Sequence, residues 1–412
     1  MSGSSGIGTK GFVALMITVF INALNDNFFR LVFIFLALRV YVTDGEGTFY
    51  YSLIGFIFLL PFVLFSPYAG YVGDRYSKKA VIVSTRAAEA VVLMTAAVML
   101  VLQNMPGLFI ALFLMGVQSA FFSPVKFGIL PEVVREEELS RANGHMQLWT
   151  FLAIILGTAL AGFIMEWAGD ALWMPATVIV TFSLLGLISS FFVTRTEAEG
   201  DPAPFRLNAF ADVGAAIGEI HRFRVLFLVV MGIAWFWALG TLYQLNVPMF
   251  AEFQLQVGEM RTGIILTLLA VGIGVGSIAA GHLAGGRIEM RHVPAGMLAA
   301  GVFSVLLFFA GGSYVATLVL SFLLGVGAGF FIVPISAYLQ NESPAKRRAR
   351  FIAASNFLAF SAMLMAPVLF WILTGPLGAT PGHIFVVSGL ASILVGVYTI
   401  RLLRRGRLDD RS

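Results

Sequence analysis

Twelve apolar runs, each long enough to cross a bilayer, follow one another along this chain with little polar sequence between them. They fall near 11–42, 49–73, 80–103, 107–131, 142–168, 171–194, 223–250, 261–285, 292–311, 314–340, 350–374 and 382–402. A hydrocarbon core needs about 20 apolar residues in helical form to span it. In lipid the backbone must satisfy its own hydrogen bonds, which a helix does within one segment. An all-α membrane protein with twelve transmembrane helices is therefore expected. Composition agrees, since 59% of the 412 residues are hydrophobic and 12% are charged, against about 25% charged in a soluble domain. The 43 glycines fit helices that approach closely in lipid. Cysteine is absent, which excludes disulfides and thiolate chemistry. The five histidines are scattered without metal-ligand spacing. No metal, no cofactor and no enzymatic reaction are expected. The net charge of +4 arises in loops and does not point to nucleic acid. The first run is too long for a cleavable signal peptide and carries Asp26 and Arg30 within it.

An even number of spans puts both termini on one side, and the basic residues indicate which side. Lys10, Arg75, Lys78, Lys79, Arg135 and Arg141 lie at one set of loops in the first half. Arg195, Arg206, Arg222, Arg224, Arg287, Arg291, the cluster Lys346–Arg350 and the arginines of the tail continue the same side, so that 21 of 26 Lys and Arg residues share it. The opposite loops, such as 43–48 and 375–383, are nearly free of them, with Arg261 the main exception. The termini and the long central loop are expected to be cytoplasmic, in a bacterial inner membrane. That loop, about 195–222, divides the spans six and six. The expected organisation is an N-terminal half over 1–194, a linker over 195–222, a C-terminal half over 223–402 and a tail over 403–412. Residues 207–221 form either a plain linker or a surface helix with Leu207, Phe210, Val213 and Ile217 on one face. The halves echo each other. Gly-Val-Gln-Ser-Ala-Phe-Phe at 116–122 resembles Gly-Val-Gly-Ala-Gly-Phe-Phe at 325–331, each followed by a proline, a basic loop and then Ala142-Asn143 or Ser355-Asn356. Two pseudo-symmetric six-helix halves with a site between them are a known transporter plan.

The loop after the second run reads Gly70-Tyr-Val-Gly-Asp74-Arg75-Tyr-Ser-Lys78-Lys79. This spacing resembles the signature of the major facilitator superfamily. Gly70 permits close contact with a neighbouring helix, and Asp74 can neutralise a helix end. Arg75, Lys78 and Lys79 add charges whose pairs can break when the halves rock, so these five residues are expected to gate. The second-half counterpart, Gly281 to Arg287, lacks the Asp-Arg pair.

Charge inside a membrane span is costly and normally faces a cavity or a partner. The first run holds Asn22, Asn25, Asp26, Asn27 and Arg30. Asn22, Asp26 and Arg30 are four apart and share a helix face. They form either a substrate-facing stripe or a private Asp26–Arg30 pair. Lys126 lies between Pro124 and Pro131 and either snorkels to the interface or binds a phosphate. Arg86 and Glu89, three apart in the third run, read best as a private pair. Trp235, Trp237, Tyr243 and Asn246 in the seventh run can meet a cationic head group or simply face packing and lipid.

A finer resemblance runs through Asn25-Asp26-Asn27-Phe-Phe-Arg30, Ser123-Pro-Val-Lys126-Phe-Gly-Ile-Leu130-Pro-Glu132, Ala142-Asn143-Gly144 and Gly329-Phe-Phe-Ile-Val-Pro334 with Leu339-Gln340. It is similar to the bacterial lysophospholipid transporter family. The resemblance implies alternating-access flipping of lysophospholipid, above all lysophosphatidylethanolamine, from the outer to the cytoplasmic leaflet. It also implies re-acylation by an acyltransferase, for which this chain shows no signature. By that resemblance Asp26 corresponds to a substrate-handling acid. Tyr243 falls where some members carry arginine, and the eleventh run lacks an acidic residue found in the family. The substrate-binding set is expected to be Asn22, Asp26, Asn27, Arg30, Lys126, Asn143, Tyr243, Asn246 and Asn356. Lys126 or Arg30 suits a phosphate and Asp26 an amine. The alternative is a proton-coupled carrier of small amphiphiles or drugs with Asp26 as the protonation site.

Overall fold

The computed structural model describes residues 6–41, 47–135, 138–196, 209–283, 290–344 and 348–404. Among these residues every regular element is helical. They run α1 (Lys10–Tyr41), α2 (Gly47–Arg75), α3 (Lys78–Val101), α4 (Met105–Gly128), α5 (Leu130–Val133), α6 (Leu139–Ala168) and α7 (Trp173–Phe191). After the central loop come α8 (Ala209–Ile220), α9 (Arg224–Phe250), α10 (Glu259–Leu283), α11 (His292–Phe309), α12 (Tyr314–Glu342), α13 (Arg348–Thr374) and α14 (Pro381–Arg404). Twelve helices are long and apolar enough to cross a membrane, all but the short α5 and α8. The chain is a multi-pass, all-α membrane protein, as its hydropathy requires.

The fourth span ends sooner than expected. Pro124 lies inside α4 and Pro131 opens α5. The chain turns at Ile129, which leaves Lys126 in the last turn of α4. Proline at the start of α5 costs little, because the first helical N–H groups have no internal partner.

Contacts group the chain into two units, one of Met1–Tyr41 with Ile57–Ala209 and one of Val42–Phe56 with Phe210–Ser412. In the first unit α1 packs on α6 and α7, and α3 packs on α4 and α7. In the second, α9 packs on α13, α11 packs on α12 and α14, and α10 packs on α12. The pairs α1–α6, α3–α4 and α3–α7 thus recur as α9–α13, α11–α12 and α11–α14. The start of α2 belongs with the second unit, where the Tyr51 ring lies 6.1 Å from that of Phe370.

The α10–α12 contact is built from glycine. Gly272 and Gly276, one turn apart on α10, face the backbone carbonyls of Phe322 and Val326. Gly325 and Gly329 on α12 face those of Leu269 and Ile273. A Cβ at any of the four would strike backbone, so these positions set how closely the two helices approach. The segment 325–331, noticed first as an echo of 116–122, is therefore also a packing face.

The central loop yields a helix at α8, and its buried stripe matches the expected one in part: Ile217 packs against the buried cluster, but the most buried residues are others. Ala216 and Ile220 are buried in a cluster with Val229, Val230, Phe331 and Phe351, whereas Phe210 remains exposed. Glu219 pairs with Arg350 at 3.5 Å. The apolar face is thus covered by protein of the second unit. Leu207 lies outside the described residues.

Candidate functional site

A chain of buried polar groups runs through the first unit from α1 to α3. Asp26 is 9% exposed. Its Oδ2 accepts from Asn22 Nδ2 at 3.1 Å and from Ser119 Oγ on α4 at 2.9 Å. Gln118 Nε2 donates to Ser119 Oγ at 2.7 Å, and Arg86 on α3 donates to Gln118 Oε1 at 2.7 Å. Arg86 is ion-paired with Glu89, its guanidinium lies 4.3 Å over the Phe122 ring, and neither residue is more than 1% exposed. Two oxygens in this chain, Asp26 Oδ1 and Glu89 Oε1, are buried without a hydrogen-bond partner among the described residues. A buried orphan acceptor requires an explanation, and one of the two is Asp26's own Oδ1.

Of the two alternatives for this face, the private Asp26–Arg30 pair does not form among the described residues. The Asp26 carboxylate is bonded to Asn22 and Ser119, while Arg30 donates to Asn27 Oδ1 at 2.8 Å and lies 5.0 Å over the Phe58 ring. Asn27 is tied to its own helix through Ala23 O at 2.7 Å. Lys126, half-buried, faces the Phe127 ring at 5.2 Å and lies within electrostatic reach of Asp26 and Arg86. Of the expected residues, the fold therefore gathers Asn22, Asp26, Asn27, Arg30 and Lys126 in one unit.

Arg86 and Glu89 do pair, yet not privately, since Arg86 continues through Gln118 and Ser119 to Asp26. Gln118 and Ser119 were missed. A signal was present: they sit at the two positions where the polar first copy of the repeat faces Gly327 and Ala328 in the second. Elsewhere in the first unit an apolar groove of about 350 Å³ runs between α1 and α6, lined by Phe12, Met16, Ile17, Phe20, His145 and Trp149 among others.

The remaining candidates lie elsewhere. Tyr243 on α9 donates to Ser304 Oγ on α11 at 2.9 Å, and Ser304 donates to Phe385 O on α14 at 2.7 Å. Asn246 Nδ2 donates to Pro381 O at 2.9 Å. Both residues tie α9 to its neighbours in the second unit, though Asn246 Oδ1 is buried without a partner among the described residues. Asn356 is exposed on α13, and the side chain of Asn143 lies outside the described residues.

Of the five expected gating residues, the surroundings of Gly70 and the side chain of Asp74 also lie outside the described set. Lys78 is buried and ion-paired with Glu132 on α5. Lys79 Nζ donates to Phe191 O at the end of α7 at 2.9 Å. These two lysines thus hold α3 to other parts of the first unit. Arg75 is exposed and donates to the Tyr71 hydroxyl at 2.7 Å, a bond that raises its already high pKa and keeps it charged.

Comparisons with known proteins agree with this architecture. The chain is 28% identical over 340 residues to the lysophospholipid transporter LplT of Photorhabdus laumondii, covering 81% of each. It is 27% identical over 366 residues to the LplT of Salmonella heidelberg, covering 88% of each. Among solved structures, a POT family transporter in complex with 5-aminolevulinic acid superposes with a TM-score of 0.74 at 14% identity, covering 95% of this chain and 96% of that one. The POT family transporter PepTSo gives a TM-score of 0.73 at 11% identity, covering 97% and 99%. At such identity these structures speak for the fold alone. The sequence description of the Major Facilitator Superfamily matches residues 15–367. With that match spanning most of twelve membrane helices whose packing repeats from one half to the other, the chain belongs to the Major Facilitator Superfamily.

Proposed function

We propose that this protein is a lysophospholipid transporter of the bacterial inner membrane, with both termini in the cytoplasm. In this reading it takes lysophosphatidylethanolamine from the outer leaflet and delivers it to the cytoplasmic leaflet by alternating access. The relatives named as lysophospholipid transporters support this substrate class. The observation that carries the reading is Asp26, a buried carboxylate with one oxygen held by Asn22 and Ser119 and the other left open. An ammonium head group offers the charge-assisted donor that Oδ1 lacks. Arg30 and Lys126, the two cations of the expected set, suit the phosphate. The groove between α1 and α6 supplies an apolar wall for a single chain. A cytoplasmic acyltransferase would then consume the delivered lysolipid.

The second reading, a proton-coupled carrier of small amphiphiles or drugs, is favoured by the same buried carboxylate together with Glu89, whose Oε1 is likewise unpartnered among the described residues. Asp26→Asn separates the two. It keeps the shape and removes the charge. If Asp26 receives the amine, lysophosphatidylethanolamine uptake into proteoliposomes falls sharply with or without a proton gradient. If it carries a proton, gradient-driven accumulation is lost and exchange survives. Unchanged rates in both assays would leave Asp26 with a structural role alone.

A further inference from the structure

A second groove, unconnected with Asp26, lies in the second unit where α9 and α11 begin and α12 and α14 end. Its volume is about 300 Å³, and its walls include Val229, Trp235, Val293, Phe331, Ile335 and Tyr398. That is the lower end of the range for small-ligand pockets. The lining is apolar, but the groove is not merely a dent in a lipid-facing wall. Trp235 Nε1 is buried there with no hydrogen-bond partner among the described residues.

Three arginines adjoin its lining residues in sequence. Arg224 precedes Val225, Arg291 follows Met290 and Arg401 lies two residues beyond Thr399, and Val225, Met290 and Thr399 all line the groove. All three arginines are exposed, and none makes a hydrogen bond or ion pair among the described residues. They come from the starts of α9 and α11 and from the end of α14, so three separate helix ends each carry an arginine within two residues of a lining residue. An apolar slot that opens beside clustered cations at a helix-end plane matches a lipid with a buried chain and an anionic head. Neutral lipid would satisfy the slot but not the arginines, and a soluble anion would satisfy the arginines but not the slot.

We propose that this groove is a binding site for an anionic diacyl phospholipid, one acyl chain lying against Trp235 and Phe331 and the phosphate-bearing head group at Arg224, Arg291 and Arg401. The proposed topology places this mouth in the cytoplasmic leaflet. The site is separate from the transported substrate, and nothing in it depends on which lysolipid is carried.

Quenching by brominated chains tests it on the full-length protein in nanodiscs. The chain has six tryptophans, so the Trp235 signal is taken as wild type minus Trp235→Phe. Brominated-chain phosphatidylglycerol should quench that signal at about tenfold lower mole fraction than brominated-chain phosphatidylcholine, as three near-surface arginines allow. The triple variant Arg224→Gln/Arg291→Gln/Arg401→Gln should lose the preference and still be quenched by either lipid at high mole fraction. Should the triple variant not fold, each single Gln variant should show part of the loss. High salt should weaken the preference in the wild type. Equal quenching by the two lipids, no quenching by either, or a preference that survives in the arginine variants would overturn the proposal. Stronger competition by lysophosphatidylethanolamine than by phosphatidylglycerol would also overturn it and make the groove a substrate exit. Because both faces of a nanodisc carry the same lipid, these outcomes are independent of membrane orientation and of transport activity.

Discussion

Removing one member of the Arg86–Glu89 pair should harm the protein far more than removing both. The pair is sealed from solvent, with Arg86 at 0% and Glu89 at 1% exposure. In Glu89→Leu the guanidinium keeps only Gln118 and the Phe122 ring, and an uncompensated buried charge of this kind costs about 3–5 kcal/mol. In Arg86→Met/Glu89→Leu no charge is left, and apolar replacement of a buried pair is often neutral or stabilising by about 1–4 kcal/mol. Equilibrium unfolding of purified protein in mixed detergent, for the wild type, both single variants and the double, gives the coupling as a double-mutant cycle. A coupling of several kcal/mol is expected. Single variants within about 0.5 kcal/mol of wild type would refute the burial argument. The same four proteins also separate structure from function. Arg86 reaches Asp26 through Gln118 and Ser119, and under the proposed function it would position that carboxylate. The double variant should therefore regain stability without regaining lysolipid transport. Recovery of both would reduce the pair to a structural one.

Two other perturbations follow from the geometry. Gly276→Leu, whose side chain would meet the backbone at Val326, should destabilise the second unit by about 1–3 kcal/mol through overpacking. Gly274→Leu, two residues away with open space around it, should change stability by less than about 0.5 kcal/mol; equal effects in the same unfolding assay would sink the close-approach reading. Asp74→Asn should shift the conformational population toward inward-open by about 1–3 kcal/mol if Asp74 gates. Cysteine labelling from each side, simple in a chain without native cysteine, should show more cytoplasmic and less periplasmic access, and unchanged access would remove the gating role.

The spans were legible because lipid imposes one rule on every residue of a crossing helix, and hydropathy reports it directly. The superfamily signature at 70–79 and the intramembrane charges at 26, 30, 86 and 89 were legible for the same reason: charge stands out in an apolar run. What joins them was not. Asn22, Asp26, Ser119, Gln118 and Arg86 sit on three helices, and only the packing of α1 and α3 against α4 lets hydroxyl and amide bridge Asp26 to the arginine. Spacing along α1 left an Asp26–Arg30 pair as one of two alternatives, a geometry that helix periodicity permits but that Asn22 on α1 and Ser119 on α4 displace. At α8 an amphipathic pattern cannot distinguish lipid from protein as the cover for its apolar face. Tyr243 and Asn246 raise the same difficulty, since a polar side chain in a span can serve a ligand or a neighbouring helix, and here both hold α9 to α11 and α14.

Competition for transport of labelled lysophosphatidylethanolamine in proteoliposomes tests most directly whether the chain carries lysolipid. Each buried methylene contributes roughly 0.8 kcal/mol, so competitors of decreasing chain length should lose affinity steeply, and glycerophosphoethanolamine, with no chain, should hardly compete. A compact cationic dye should compete weakly. If instead the dye competes best and chain length has no effect, the protein is a carrier of lipophilic cations, and Asp26 serves a different substrate from the one proposed.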